Sequence, residues 1–188
     1  MQAARLAWHE AQPTMDVDKL VFIDETGAAT NMTRSYGRAP KGCRCIDSAP
    51  LGDWQTTTFV AGLRHHRLTA PMVIDGPMDG ELFLAWVEQF LCPTLQPADV
   101  VILDNLSSHK VEGVQQAIAA VGAMVLYLPP YSPDQKPIEK LFSKLKTLLR
   151  KAAKRATEEL WKEIGKLLDT ITASECENYF SSSGYVST

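Results

Sequence analysis

The sequence predicts an α/β fold: a mixed five-stranded sheet flanked by helices. Three observations carry this expectation. Early apolar, β-branched runs are joined by short turns, which favours antiparallel pairing. Later runs alternate with segments of helical spacing, which favours parallel pairing. Two of the runs lead into an aspartate, Val21-Phe22-Ile23-Asp24 and Val101-Ile102-Leu103-Asp104.

Residues 1–18 read as a short approach segment. Leu20 to Ile23 is an apolar run and predicts a buried strand ending at Asp24. A turn-rich stretch follows from Gly27 to Gly42. Thr56 to Leu63 is β-branched and predicts a strand, with Thr69 to Asp75 as its partner across an Arg64-His65-His66-Arg67 turn. Leu82, Phe83, Trp86, Val87, Phe90 and Leu91 recur every three or four residues and predict a helix, which Pro93 and Pro97 end. Val100 to Leu103 predicts a strand, 107–121 a helix closed by Gly122, and Met124 to Leu128 a strand stopped by Pro129-Pro130. Two helices complete the chain, over 137–153 and 157–172. Trp54 and Trp86 are expected in the core.

Composition bounds the function classes. The chain has 188 residues, 45% hydrophobic and 22% charged, which suits one folded domain with at most a small appendage. No apolar run approaches the ~18 residues of a membrane span, and the N-terminus lacks the apolar stretch of a signal peptide. The expectation is a soluble, intracellular protein. Four cysteines, Cys43, Cys45, Cys92 and Cys176, are too scattered for a disulfide framework. Cys43 and Cys45 with His65 and His66 could be assembled into a zinc site, but C-x-C is not the usual zinc spacing, and reduced structural thiols are the simpler reading.

The net charge of −3 hides a local footprint. Residues 136–155 hold eight basic side chains against the one acid Glu139, leaving the rest of the chain at −10. A looser basic stretch runs through Arg34, Arg38, Lys41 and Arg44. Such clusters suit a phosphate backbone, and equally a solvated helix face.

Asp24 and Asp104 lie where open α/β sheets gather functional groups, beyond the carboxyl ends of strands. A third acid, Glu139, falls in the first turn of a helix. Singly, each has a plain structural reading: a turn residue after a strand, or a partner of the helix dipole. Three converging carboxylates would repel one another unless a hard cation neutralised them. Paired Mg²⁺ ions in such a site can activate water and stabilise the leaving oxygen of a phosphodiester. The helix after Pro137 sets Glu139, Ser143, Lys146 and Arg150 along one flank, with Lys140, Lys144, Lys151 and Lys154 further towards solvent.

At these residues the sequence resembles transposases of the mariner-like superfamily, most closely the bacterial insertion sequence 630 family. The matching blocks are Phe22-Ile23-Asp24-Glu25-Thr26-Gly27, Tyr36-Gly37-Arg38-Ala39-Pro40, Ile102 to Lys110, and Leu128 to Asp134 with Pro137-Ile138-Glu139. The tail, including Glu175 to Phe180 and Gly184-Tyr185, is similar too. Asp104 and Glu139 have 34 residues between them, the separation typical of the D-D-E superfamily.

The resemblance implies a ribonuclease-H-like fold, with 19–155 as catalytic domain, 156–188 as a helix and tail packed on it, and 1–18 as a remnant linker. It implies a catalytic and metal-binding triad of Asp24, Asp104 and Glu139 holding two Mg²⁺ or Mn²⁺ ions. Water would cut the element's end, and the freed 3′-hydroxyl would attack target DNA at a TA-containing site. Arg38, Lys41, Lys136, Lys140, Lys144, Lys146 and Arg150 would contact the DNA. Asn105 and His109 would orient water or phosphate, or else pack and cap. Glu25, on the opposite side of its strand from Asp24, is not expected to bind metal. The implied partners are double-stranded DNA, a second copy in a homodimer, and a separate helix-turn-helix protein. The stretch before residue 20 is too short to be a recognition region, so the catalytic half alone is expected.

One departure stands out. The family usually reads Pro-Asp-Leu/Phe-Asn-Pro-Ile-Glu, and here Gln135-Lys136 fills the middle, so a cation beside the metal site replaces an asparagine that would brace the loop. That keeps a non-catalytic DNA-binding remnant or regulator in play. Another nuclease of the same fold is the nearer rival, against which the Pro-Tyr-Ser-Pro-Asp block and the 34-residue separation speak.

Overall fold

The computed structural model describes residues 2–186 except 35, 49, 51, 52, 107 and 131. Ser107 and Tyr131, both inside the blocks quoted above, therefore lie outside the described residues. Five strands form one sheet in the order β3-β2-β1-β4-β5. They are β1 (Leu20–Ala29), β2 (Thr56–Leu63), β3 (Leu68–Asp75), β4 (Val100–Leu103) and β5 (Met124–Tyr127). β1, β2 and β3 pair antiparallel, whereas β1–β4 and β4–β5 are parallel. This is the mixed sheet that the sequence predicts.

Alternation along β1 divides the core. Leu20 and Phe22 point to one face with Phe59, Leu63 and Ile102. Helices α4 (Pro137–Ala152), α5 (Thr157–Leu168) and α6 (Ala173–Ser181) cover that face. Ile138, Leu141, Phe142, Leu145 and Leu149 form the buried stripe of α4, recurring at three and four residues. Val21 and Ile23 point to the other face, against Phe83 and Trp86 of α2 (Gly80–Trp86) and Val114 and Ile118 of α3 (Val114–Ala120). Among the described residues, no helix is long and apolar enough to cross a membrane.

The structure corrects several sequence expectations. β1 does not end at Asp24; it runs on to Ala29, paired with β2 as far as Ala29–Thr56. Its pairing with β4 stops at Phe22–Ile102, so Asp24 sits mid-strand where the sheet forks. The helix expected over 107–121 is a short 3₁₀ turn at Ser108–Lys110 followed by α3. Gly113, at φ 103°, breaks the run. The helix expected over 157–172 stops at Leu168, because Thr172 starts α6 with a reciprocal cap: its hydroxyl accepts from the Glu175 amide, and the Glu175 carboxylate accepts from the Thr172 amide. Trp54 is not core but 60% exposed, whereas Trp86 is fully buried.

The approach segment is also more ordered than expected. Residues Gln2–Ala11 form helix α1. It is docked through its side chains: Arg5 pairs with Asp134 at 2.8 Å, and Trp8 Nε1 donates to the Tyr185 hydroxyl at 2.8 Å.

Candidate functional site

The fork in the sheet sets the site. Beyond Phe22, β1 loses β4 as its neighbour, leaving Asp24 and Asp104 at adjacent positions without a ladder between them. By strand alternation Asp24 faces the α4 side and Glu25 the α2–α3 side. Asp104, in the loop after β4, reaches both. Pro137 opens α4 just after Lys136, and Glu139 lies in the first turn.

Lys136 stands beside the acids, as its place in the motif implies, but buried. Expected among the DNA-contacting cations, it is 3% exposed. Its ammonium donates to Asp24 Oδ1 at 2.7 Å and Asp104 Oδ2 at 3.3 Å. His109 is fully buried against the Phe83 ring, centroids 4.5 Å apart. Its Nε2 donates to Glu25 Oε2 at 2.9 Å. Its Nδ1 lies 2.6 Å from Asp104 Oδ1, an ion pair bent away from hydrogen-bond alignment. The result is a continuous chain of alternating charge: Asp24, Lys136, Asp104, His109, Glu25.

Protonation follows from this order. Burial pushes the Asp24 carboxyl up to about 7, against the pull of Lys136. Burial also opposes ionisation of Asp104, but His109 and Lys136 outweigh it and bring that carboxyl down to about 2. Burial disfavours the His109 imidazolium, yet Asp104 and Glu25 outweigh it and push its pKa up to about 9. The Lys136 ammonium, likewise opposed by burial, is held above the ordinary lysine range by Asp24 and Asp104.

Outside this chain lies a groove of about 390 Å³, lined by Asp104, Asn105, Leu128, Pro129, Pro130, Ser132, Lys136 and Glu139. Glu139 is exposed on its rim. Three carboxylates from β1, the β4 loop and α4 are hard oxygen donors of the kind that suit Mg²⁺ or Mn²⁺. Their donor chemistry fits a divalent centre. In this arrangement, however, Lys136 stands between two of them. The three are not gathered as closely as Asp18, His65 and His66, the one set of three metal-ligating side chain types with donor atoms within 4.8 Å among the described residues.

The other expected residues divide. Asn105 lines the groove and is exposed. Arg38 and Lys41 are exposed in the connection between β1 and β2, and Lys146 and Arg150 are half-buried on α4. Lys140 and Lys144 turn instead towards α6, to the Ser182 hydroxyl at 2.8 Å and to the Glu175 carboxylate. Cys43 and Cys45 are exposed and separate from the histidine pair. His65 and His66 meet Asp18 at 3.1 and 3.3 Å, and His66 also meets Glu177 at 3.0 Å. Sequence reasoning missed the bracing of the loop before α4. The Tyr185 hydroxyl donates to the Gln135 carbonyl at 2.9 Å, and Arg5 donates to Ser132 at 3.0 Å. Gly184-Tyr185 was visible as a similarity, but its target was not.

Comparison with known proteins places the fold. The chain is similar to that in a pre-cleavage Mos1 transpososome, with TM-score 0.78 and 11% identity over 97% of this chain and 58% of the other. A Mos1 paired end complex with Mg gives TM-score 0.72 and 15% identity, over 89% and 53%. The isolated catalytic domain of Mos1 mariner transposase gives TM-score 0.66 and 13% identity, over 100% and 93%. The chain thus spans little more than half of the transpososome chain and nearly all of the catalytic domain. At such identities the likeness establishes the fold, which is the ribonuclease-H-like one. No curated protein matches the sequence. The DDE superfamily endonuclease profile matches residues 19–160, more than half of the chain and all three carboxylates, and the protein belongs to that family.

Proposed function

We propose that the chain is the catalytic part of a bacterial insertion-sequence transposase acting on double-stranded DNA. The observation that carries this reading is the placement of Asp104 and Glu139, from the β4 loop and α4, on the wall of one open groove, with Asp24 of β1 buried behind it and joined to Asp104 through Lys136. These three residues would hold two Mg²⁺ or Mn²⁺ ions, which when bound polarise the scissile phosphate and the attacking water. The chain's own contribution is positioning. The His109 imidazolium fixes Asp104 from behind, and Glu25 fixes His109. The bracing of 132–136 by Tyr185 and Arg5 sets the start of α4, and with it Glu139. Arg38, Lys41, Lys146 and Arg150 would neutralise backbone phosphates. Water breaks one phosphodiester, and the 3′-hydroxyl so freed attacks a second in a TA-containing target. Joining two element ends calls for a homodimer, and terminal-repeat recognition for a helix-turn-helix region.

Lys136 favours a second reading. A triad in which two carboxylates already share an ammonium suits a regulator that binds DNA without cutting it. Nicking of supercoiled plasmid without metal and with Mg²⁺, Mn²⁺ or Ca²⁺ separates the two. The transposase reading expects nicking that needs Mg²⁺ or Mn²⁺ and disappears in Asp104→Asn, followed by strand joining when target DNA is supplied. Salt-sensitive DNA binding with no nicking in any metal would overturn it in favour of the regulator.

A further inference from the structure

We propose that Lys136 is the resident counter-ion of the acidic centre: its ammonium holds the place between Asp24 and Asp104 that a divalent cation must take. Metal loading therefore requires this side chain to withdraw. The inference rests on the reading of Asp24, Asp104 and Glu139 as a metal centre.

Three observations support it. The first is distance. Contacts of 2.7 and 3.3 Å to one oxygen of each aspartate put the nitrogen in the slot that joins them. A divalent cation held by these same two oxygens would need the slot that the nitrogen fills. The two cannot share it. The second is burial. At 3% exposure Lys136 is not a surface cation awaiting phosphate, and of its carboxylate partners Asp24 is buried and Asp104 half-buried. The third is charge order. Asp24, Asp104 and Glu25 are already answered by Lys136 and His109, so an added dication meets a repelling ammonium rather than bare carboxylates.

The backbone explains why lysine can do this. Lys136 precedes α4 in extended conformation, φ −117° and ψ 96°, and makes no side-chain cap to the helix. Its side chain is thus free to run back to the sheet. It also lines the groove, which gives it room to leave. The consequence is a site whose acidic repulsion is partly offset without metal and which loads metal only against competition.

Mn²⁺ binding to the full chain, by electron paramagnetic resonance of free Mn²⁺, tests this without any cleavage assay. The comparison is wild type, Lys136→Asn, Lys136→Arg, Lys136→Met and the double variant Lys136→Asn with Asp104→Asn. Asparagine is a favoured N-cap, so that substitution is compatible with the start of α4. The expected result is Mn²⁺ affinity about tenfold higher or more in Lys136→Asn than in wild type or Lys136→Arg. That gain should vanish in the double variant. Melting temperature gives a second readout, with Mn²⁺ raising it more in Lys136→Asn and Lys136→Met than in wild type. Equal, Asp104-dependent Mn²⁺ binding in wild type and Lys136→Asn would overturn the counter-ion role and leave the metal centre standing. No Mn²⁺ binding by any variant would overturn the metal centre itself, and this inference with it.

Discussion

His109 contributes through what it touches on both sides. It is fully buried, stacked on Phe83, and its two ring nitrogens face Asp104 and Glu25. Replacing it by leucine keeps the volume but leaves two carboxylates without their shared cation. Breaking a buried pair in this way costs about 3–5 kcal/mol. His109→Leu is therefore expected to lower the urea midpoint strongly with an unchanged m-value. Asn105→Ala, on an exposed neighbour, should stay within about 0.5 kcal/mol of wild type. A small effect of His109→Leu would mean that the ion pairs add little to the fold. This residue also marks the limit of sequence reading. Asp24 and Asp104 stand out because each follows an apolar run. Nothing in Asn105-Leu106-Ser107-Ser108-His109-Lys110 announces a buried imidazole, because its burial depends on Phe83 and on Glu25, 84 residues away. Lys136 is legible in part: the motif puts a cation beside the acids, but not its burial between them. In sequence it heads a basic stretch, whereas in space it answers carboxylates delivered by two strands.

At the scale of elements, α4 and α6 are joined by one acidic side chain with two tasks. Glu175 closes the capping box with Thr172 and pairs with Lys144. The Lys144 ammonium and the Thr172 cap hold its carboxyl below the ordinary value of 4.5. A carboxyl whose folded pKa is depressed gives stability above its unfolded pKa and loses it as pH falls through the folded one. The stability difference between wild type and Glu175→Gln should thus be present at neutral pH and shrink as pH drops below about 4.5. It should also shrink with salt, since the pair is partly exposed. Thr172→Ala removes the hydroxyl acceptor and should cost about 1 kcal/mol at any pH. A Glu175→Gln effect that is flat across pH would show that the cap, not the charge, carries it. The same cap explains why the sequence predicts one helix where two exist. Apolar spacing runs across 157–172, and only the short Thr172–Glu175 relation marks the break. The strands were more legible, since their number, order of appearance and mixed pairing follow from turn lengths and apolar runs. The length of β1 was not, because past Asp24 it is held by β2 alone.

Across the whole molecule, both ends of the chain converge on the loop that leads into the acidic centre. Helix α1 reaches it through Arg5 on Ser132 and Asp134, and the tail reaches it through Tyr185 on Gln135. Trp8 joins the two by donating to the Tyr185 hydroxyl. Tyr185 is fully buried, its ring edge-on to Phe22, centroids 5.0 Å apart. The aromatic ring belongs to the core, and only the hydroxyl faces the loop. Tyr185→Phe separates the two roles. The ring stays, while the Gln135 carbonyl loses a partner in a buried setting and the Trp8 indole N–H in a half-buried one. Leaving such groups unsatisfied costs about 1–3 kcal/mol. The same loss should be local, because β1, β4 and the apolar stripe of α4 keep their contacts. Amide exchange is thus expected to quicken for residues 132–136 and for α1, and to stay near wild type in β1 and β4. If exchange rises uniformly instead, the hydroxyl is supporting global stability alone. If the loop and α1 loosen together, the termini are parts of the support for Lys136 and Glu139, and shortening either end should disturb the site before it unfolds the sheet.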